Sequence, residues 1–325
     1  MNTPTCNGIS IIICTWNRAE TLRMTLDSLT EQLMPTATDI EVILVDNNST
    51  DSTKAVVEDL LQNWRFGVLR YLFEPRQGKQ FALNSGIAHS TQNILAFTDD
   101  DILFDKRWCI EINRIFSDPT VELVGGKTLI TWPTSGQPAW YHANMSAVFG
   151  NVDLGNTRLL PAPSVYAPAG ANLIARRSLF QRIGGFSESH FRHMDFEFGM
   201  RSQHMKAVVA YEPSLLVYAP VDEACLTKRY FRRWAFKAGI TPDTDPLPEE
   251  KTLLAVPRWV FRQLFQDLMH VAFGPGYETP AEKFSVELRA WRSVGKIASR
   301  WHEKLRPSNH DQWIEHFSQK KKNVY

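Results

Sequence analysis

The chain is expected to be an α/β protein, a mainly parallel sheet flanked by helices with an α-helical C-terminal extension. Two observations predict this. Through the first hundred residues, short apolar runs alternate with amphipathic segments, a β-α-β-α-β rhythm that suits parallel strands joined by helical crossovers. Past residue 250 the apolar residues recur at helical spacing.

The elements follow in order. Ile9–Cys14 is uniformly apolar, as a strand buried on both faces is. Asn17 with Glu20 three residues on reads as a helix N-cap, and Leu22, Leu26, Leu29 and Leu33 then repeat at helical spacing. Glu41–Asp46 is a second strand, and its turn Asn47–Asp51 can cap a helix through Val56, Val57, Leu60 and Leu61. Val68–Phe73 is a third strand, a helix begins near Gln80, and Asn93–Phe97 is a fourth strand. A helix is expected from about Lys106. Residues 132–168, rich in Pro, Gly, Asn and aromatics, read as a long loop region over the cleft that contributes to an acceptor site. Regular structure resumes at Gly170–Arg176, with a helix at or near Asp195, two strands at Ala207–Tyr211 and Leu215–Ala219, and a basic helix over Leu226–Ala238. A Pro- and acid-rich linker spans Thr241–Glu250, and helices follow near Val256–Phe273 and Ala281–Lys304. No internal repeat is present. The expected division is a catalytic domain over 1–240, made of a nucleotide-binding half (1–101) and an acceptor half (102–240), and a helical extension over 241–325.

Composition narrows the function. With 43% hydrophobic residues, the 325-residue chain can bury a large core. Its 36 basic and 35 acidic residues leave a net charge of +1, which gives no general argument for nucleic-acid binding. Cys6, Cys14, Cys109 and Cys225 are scattered, without a C-x-x-C pair, and read as buried reduced thiols. No charged segment followed by an apolar core opens the chain, and no apolar stretch reaches spanning length. A cytoplasmic location is expected. The sequence carries no signal for oligomeric state.

In open parallel sheets, ligands bind beyond the carboxyl ends of the strands. Thr15-Trp16-Asn17, Asp46-Asn47-Asn48 and Asp99-Asp100-Asp101 all fall there. Three adjacent carboxylates repel one another, so a hard divalent cation, Mg2+ or Mn2+, shared with a diphosphate would suit them. A solvated acidic turn capping the helix near Lys106 is the other reading, and the position after an apolar strand favours the metal. Asp46 can accept from ribose hydroxyls or a base N–H, while Asn48, Ser49 and Asp51 can also serve as caps. The run Arg76-Gln77-Gly78-Lys79 opens a helix with a glycine and two cations. It can hold phosphate but lacks P-loop spacing, and a plain glycine turn is the alternative.

Taken jointly, these pieces resemble family-2 glycosyltransferases of the GT-A fold, with an inverting reaction. The matching motifs are Ile11–Arg18, Ile43–Asp51, Gly78-Lys79 with Ala82–Ile87, and Phe97–Asp101, four in order at natural spacing. The resemblance implies a donor site of Thr15, Trp16, Asn17, Arg18, Asp46, Asn48, Gly78, Lys79, Asn84, Asp99 and Asp100. It implies a D-x-D pair at Asp99 and Asp101, with Asp100 also in register to ligate metal.

The likeness extends through Gly170–Arg176 and Gly184-Gly185-Phe186 to Asp195–Arg201, and covers residues 9–240. The family's Glu-Asp pair stands here as Met194-Asp195. Asp195 is the implied general base, since an inverting transferase must deprotonate the attacking hydroxyl. A glycosidase would instead need two facing carboxyls. Asp195 can also act as an N-cap, Glu197 and Arg201 can pair at i,i+4, and His193 and His204 are further metal-ligand candidates. Lys228–Trp234 matches a basic segment that closes over diphosphate, or forms an amphipathic surface helix. Trp259, Phe261, Leu264, Phe265, Leu268 and Val271, with Arg258 and Arg262, suit an interfacial helix or one packed on the catalytic domain.

The implied partners are a nucleotide-sugar donor, expected to carry UDP, and a glycan or glycolipid acceptor of envelope or exopolysaccharide synthesis. No nucleic acid is implied. Peripheral contact of 226–304 with the inner face of a membrane is an added expectation. The alternatives are an inactive nucleotide-sugar-binding protein, a nucleotidyltransferase and a membrane-surface adaptor.

Overall fold

Ile9–Thr15 forms β1, with every residue buried. The computed structural model describes residues 8–34, 38–190, 192–241, 252–274 and 279–319. The chain divides into two compact units, Met1–Thr131 with Gly150–Pro220, and Trp132–Phe149 with Val221–Tyr325. Residues 132–149 and the basic helix after 226, both expected before a boundary at 240, therefore fall in the second unit.

In the first unit β1 is followed by α1 (Ala19–Thr30), β2 (Ile40–Asp46), α2 (Thr53–Asn63), β3 (Val68–Phe73), α3 (Lys79–His89), β4 (Ile94–Asp99), β5 (Leu103–Phe104), α4 (Trp108–Phe116) and β6 (Leu123–Thr131). Then come β7 (Leu173–Arg176), α5 (Arg177–Ile183), α6 (Met194–His204) and β8 (Val209–Pro220). Among the described residues these eight strands form one sheet in the order β3-β2-β1-β4-β7-β6-β8-β5. The β3-β2-β1-β4 pairings are parallel, β7 runs antiparallel to β4 and β6, and β6 and β8 are parallel.

The uniform apolarity of β1 has a direct cause. Ile9, Ile11 and Ile13 enter one core layer with Leu22, Leu26, Leu29 and Trp108. Ile12 and Cys14 enter the other, with Ala82, Phe97, Phe180 and Phe198. Side chains alternate across a strand, so a strand covered on both faces must be apolar throughout.

Three expectations are corrected here. Residues 207–211 and 215–219 are not two strands but one, β8, whose pairing with β6 shifts register between Gly126 and Lys127. The extra residues are accommodated as a bulge, and the chain stays extended through Pro213. Strand β6 is absent from the expected elements, because Gly125-Gly126-Lys127 interrupts its apolar run. The expected single loop over 132–168 is divided: part belongs to the second unit, while Val152 bridges to Thr128 and Leu159 to Tyr211 in the first. The expected linker 242–250, Cys6 and the Lys320-Lys321-Lys322 tail lie outside the described residues. Cys14, Cys109 and Cys225 are buried thiols.

The second unit holds α7 (Lys228–Ile240), the short strands β9 (Thr252–Leu253) and β10 (Val256–Pro257), then α8 (Arg258–Phe273), α9 (Pro280–Leu305) and α10 (His310–Gln319). Thr279 and Glu282 close a capping box on α9. Its core is aromatic: Phe231 meets Trp140, Tyr141 and Phe149, and Trp140 meets Phe284. Helices α7 and α9 cross closely at Gly239 and Gly295. A Cβ on Gly295 would lie 2.2 Å from the Phe236 carbonyl oxygen, and one on Gly239 2.1 Å from that of Arg292.

Helix α10 is held by a histidine pair. His302 Nδ1 and His310 Nδ1 lie 3.3 Å apart, and the His302 ring stacks on Trp313 at 4.6 Å. Burial pushes the His310 imidazole below its ordinary pKa, with His302 acting in the same direction against Glu303. A histidine whose folded pKa is depressed stabilises the fold above its unfolded value, near 6.5, and that contribution is lost as pH falls below it. Acidification from about pH 7.5 to 5.5 should therefore loosen α10, read as lower protection factors over 310–319 once the slower intrinsic amide exchange at the lower pH is divided out. His310→Gln should remove that pH dependence, and its persistence in the variant would refute the assignment.

Candidate functional site

Parallel pairing brings the strand ends together. Thr15 lies opposite Asp46 across β1 and β2, and Cys14 lies opposite Asp99 across β1 and β4. The three segments singled out from sequence thus converge on one edge of the sheet.

The acidic run is organised by two cations. Arg18 Nη1 donates to Asp100 Oδ1 at 2.7 Å and to Asp101 Oδ2 at 2.5 Å. Thr15 Oγ1 donates to Asp100 Oδ2 at 2.7 Å. Lys79 Nζ donates to Asp99 Oδ1. Asp100 is buried with both oxygens bonded, whereas the side chains of Asp99 and Asp101 are 31% and 35% exposed. Burial holds the Asp100 carboxyl above the usual range, against the pull of Arg18 and Thr15. For Lys79, burial disfavours the charge, but Asp99 and then Asp195 outweigh it and raise its pKa.

None of the three acids caps α4, whose N-cap is Arg107, and the capping reading gives way to the ion-pair cluster. Asp100, expected at donor and metal, has both carboxylate oxygens in bonds to Arg18 and Thr15. Arg18, expected at the donor, has its guanidinium on the acids.

Asn17 is not the cap of α1. That position falls to Arg18, with no side-chain cap bond. Asn17 takes a left-handed backbone (φ 52°), and its Oδ1 accepts from Thr50 N at 2.6 Å and Asp51 N at 3.1 Å, while its own N–H reaches Ser49 Oγ. It fastens the β1 end to the turn after β2. Within that turn Asp46 Oδ1 accepts from Ser49 N at 2.9 Å and Oδ2 from Tyr71 Oη at 2.8 Å. Asn48 is exposed with φ 64°, and Trp16 is half-buried just beyond β1.

Sequence reasoning gives Asn47 no role of its own. It is buried, donates to the carbonyls of Glu74 (3.2 Å) and Arg76 (2.6 Å), and accepts from Gly78 N at 2.8 Å. It therefore shapes the turn that presents Lys79. Gly78 is the N-cap of α3 with φ 144°, a conformation open to glycine. Arg76 pairs with Glu74 and Glu188. Asn84, expected at the donor, exchanges two bonds with the Phe186 backbone, Nδ2 to O at 2.8 Å and N to Oδ1 at 2.9 Å.

Asp195 sits in the first turn of α6, after His193 with φ 55°. The N-cap is His193, so Asp195 is not the cap residue. Its Oδ2 accepts from Gly170 N at 2.7 Å and its Oδ1 from Phe196 N at 2.9 Å. Its influence on Lys79 joins it electrostatically to the acidic cluster. Met194 is buried with Phe180 and Phe198 in the core, so an acid there would be desolvated. Glu197 and Arg201 do pair, at 2.7 Å, and Arg201 also donates to the carbonyls of Ile183 and Gly185.

Among the described residues no three His, Cys, Asp or Glu side chains converge as a metal cage, His193 and His204 included. Asp99 and Asp101 keep partly exposed carboxylates beside Lys79 and Arg18, and two hard carboxylates completed by diphosphate oxygens are a donor set of the kind Mg2+ or Mn2+ accepts.

A parallel-strand sheet gathering carboxylates and cations at its strand ends is the layout of an α/β protein that handles phosphorylated ligands. The chain belongs to glycosyltransferase family 2: the model of "Glycosyl transferase family 2" matches residues 10–184. It is 35% identical over 138 residues to "Glycosyltransferase AglE" of Haloferax volcanii, covering 42% of this chain and 44% of that protein. It is 28% identical over 237 residues to "Succinoglycan biosynthesis protein ExoM" of Rhizobium meliloti, covering 69% and 72%. A "Pre-mycofactocin glycosyltransferase" of Mycobacterium tuberculosis matches at 27% over 240 residues and 47% of its length. The chain thus spans about half the length of several curated relatives it matches. The fold is that of a mannosyltransferase from Pyrobaculum calidifontis, solved with GDP-Man and Mn2+, with a TM-score of 0.54 at 19% identity over 97% of this chain and 80% of that one. That fold is GT-A.

Proposed function

We propose that this chain is an inverting glycosyltransferase, moving a sugar from a nucleoside-diphosphate sugar to a hydroxyl of a glycan or glycolipid acceptor in envelope or exopolysaccharide synthesis. The observation that carries the reading is a partly exposed acid, Asp195, held by two backbone N–H groups, together with Lys79, which pairs with Asp99 of the acidic cluster. Asp195 takes the acceptor proton as the oxygen attacks the anomeric carbon and the bond to the diphosphate breaks. The N–H groups of Gly170 and Phe196 fix the carboxylate's direction. Lys79, at the start of α3, turns from Asp99 toward the leaving diphosphate and compensates its charge. Asp99 and Asp101 hold ribose and a divalent cation, Mn2+ or Mg2+, which when bound would stabilise the departing diphosphate. Thr15, Trp16, Asn17, Asp46 and Asn48 border the nucleoside.

The donor is proposed to be a UDP-sugar. The P. calidifontis mannosyltransferase was solved with GDP-Man and Mn2+, which makes GDP the first competitor to test. Titration calorimetry with UDP, GDP, CDP and dTDP, with and without Mn2+, separates these. One diphosphate should bind only with metal, and Asp99→Ala/Asp101→Ala should weaken it by about tenfold or more, the loss of two carboxylates from the ion's shell. Failure of every diphosphate to bind the native chain under any metal condition would refute the proposal and favour an adaptor role.

A further inference from the structure

Helix α8 packs through only one face. Val260 and Asp267 are buried, and Asp267 accepts from Arg289 of α9 at 2.9 Å and from Gln263 at 3.0 Å. The other face carries Phe265, Leu268, Met269 and Phe273, which are 65%, 52%, 43% and 78% exposed. Spacings of three, four and eight residues place these four on one side of the helix. Arg258 and Arg262, both exposed, continue the same side toward the helix start.

We propose that this face is a docking surface for an anionic lipid bilayer, with α8 lying in the interfacial plane. Phe265, Leu268, Met269 and Phe273 enter the acyl boundary, and Arg258 and Arg262 meet the headgroups. Charge complementarity selects this occupant. The exposed side of α8 carries Arg258 and Arg262, while the one acid of the helix, Asp267, is buried on the other side against Arg289. A cation in the first turn of a helix opposes the helix dipole, yet α8 opens on Arg258 and has no acid in that turn. Anionic headgroups offset that cost. A second copy would set one basic face against another without compensation. The stripe offers no polar pattern that would fix the register of a protein partner, whereas a lipid surface needs none. No described helix is long and apolar enough to cross a membrane, so the contact is along the surface.

The test is flotation of the full chain with vesicles of phosphatidylcholine alone or with about one quarter phosphatidylglycerol. The native chain should float with the anionic vesicles at least about tenfold more than with the neutral ones, and about 0.5 M salt should erase the difference. Phe265→Ser/Phe273→Ser should lose anionic-vesicle binding by about tenfold or more while nucleotide binding by calorimetry is retained. Arg258→Gln/Arg262→Gln, which leaves the apolar stripe intact, should lose the anionic preference. Absence of flotation by the native chain overturns the proposal, as does undiminished binding by either variant. Sedimentation equilibrium adds a further check: a native dimer that Phe265→Ser/Phe273→Ser converts to monomer would assign the face to a second copy and overturn it.

Discussion

Asp195→Asn is expected to lower the transfer rate by roughly a hundred- to ten-thousandfold, the usual contribution of a positioned general base. Nucleotide affinity should change little, because the substitution touches neither Asp99 nor Asp101. The carboxylate accepts from two backbone N–H groups, Gly170 at 2.7 Å and Phe196 at 2.9 Å. An asparagine offers one acceptor oxygen, so one of these N–H groups loses its partner, at a cost of roughly 1–3 kcal/mol where it is buried. Asp195→Asn should therefore unfold at a slightly lower temperature while binding the diphosphate normally. The diagnostic combination is a collapsed kcat, an unchanged calorimetric Kd and a flattened acid limb in the pH profile. Transfer at the native rate by a folded Asp195→Asn variant would remove Asp195 from the chemistry.

Much of this site is legible in the sequence, and the reasons are specific. Ile11–Ile13 announces a doubly covered strand because both of its faces must be apolar, and once the strands are parallel their polar ends share an edge. Asp46 and Asp99 are visible for that reason, whereas Asp195, in the first turn of α6, is visible only through the family resemblance at Met194-Asp195. What escapes a sequence reading is the pairing among the side chains. Arg18 follows β1 and Asp101 follows β4, 83 residues apart, and nothing local signals that one guanidinium spans two of the acids. Asn47 escapes because an asparagine in a polar turn looks like any other, although its amide fixes the Arg76–Gly78 backbone. Asn17 imitates a cap because Glu20 three residues on satisfies the capping pattern, while tertiary partners at Thr50 and Asp51 take its oxygen instead. Strand β8 reads as two because Glu212-Pro213-Ser214 looks like a turn, and only pairing with β6 absorbs it as a bulge.

Arg18→Ala is expected to have the largest effect on stability. Asp100 is a buried carboxylate whose charge is met by Arg18 at 2.7 Å and by the Thr15 hydroxyl. Removing one partner of a buried pair costs about 3–5 kcal/mol, because the remaining charge is left unpaired in a poorly solvated place. The lower end applies, since Arg18 is itself one-third exposed and Asp101 can turn to water. About 3 kcal/mol in a unit of this size corresponds to a fall of roughly 6–12 °C in melting temperature. The pH dependence has a definite sign. Burial already raises the Asp100 pKa, and loss of Arg18 raises it further. An acid whose folded pKa exceeds its unfolded one favours the fold below the unfolded pKa, and that advantage is lost as pH rises through the folded pKa. The deficit of Arg18→Ala should be greatest at neutral pH and shrink on acidification, as Asp100 takes up a proton. Adding Asp100→Asn should recover most of the lost stability at neutral pH, because the stranded charge is gone while the Thr15 contact survives. Melting curves of the native chain, the single variant and the double variant across pH 5 to 8 give the answer. Equal deficits for single and double variants would mean that the guanidinium acts through packing rather than by compensating the Asp100 charge.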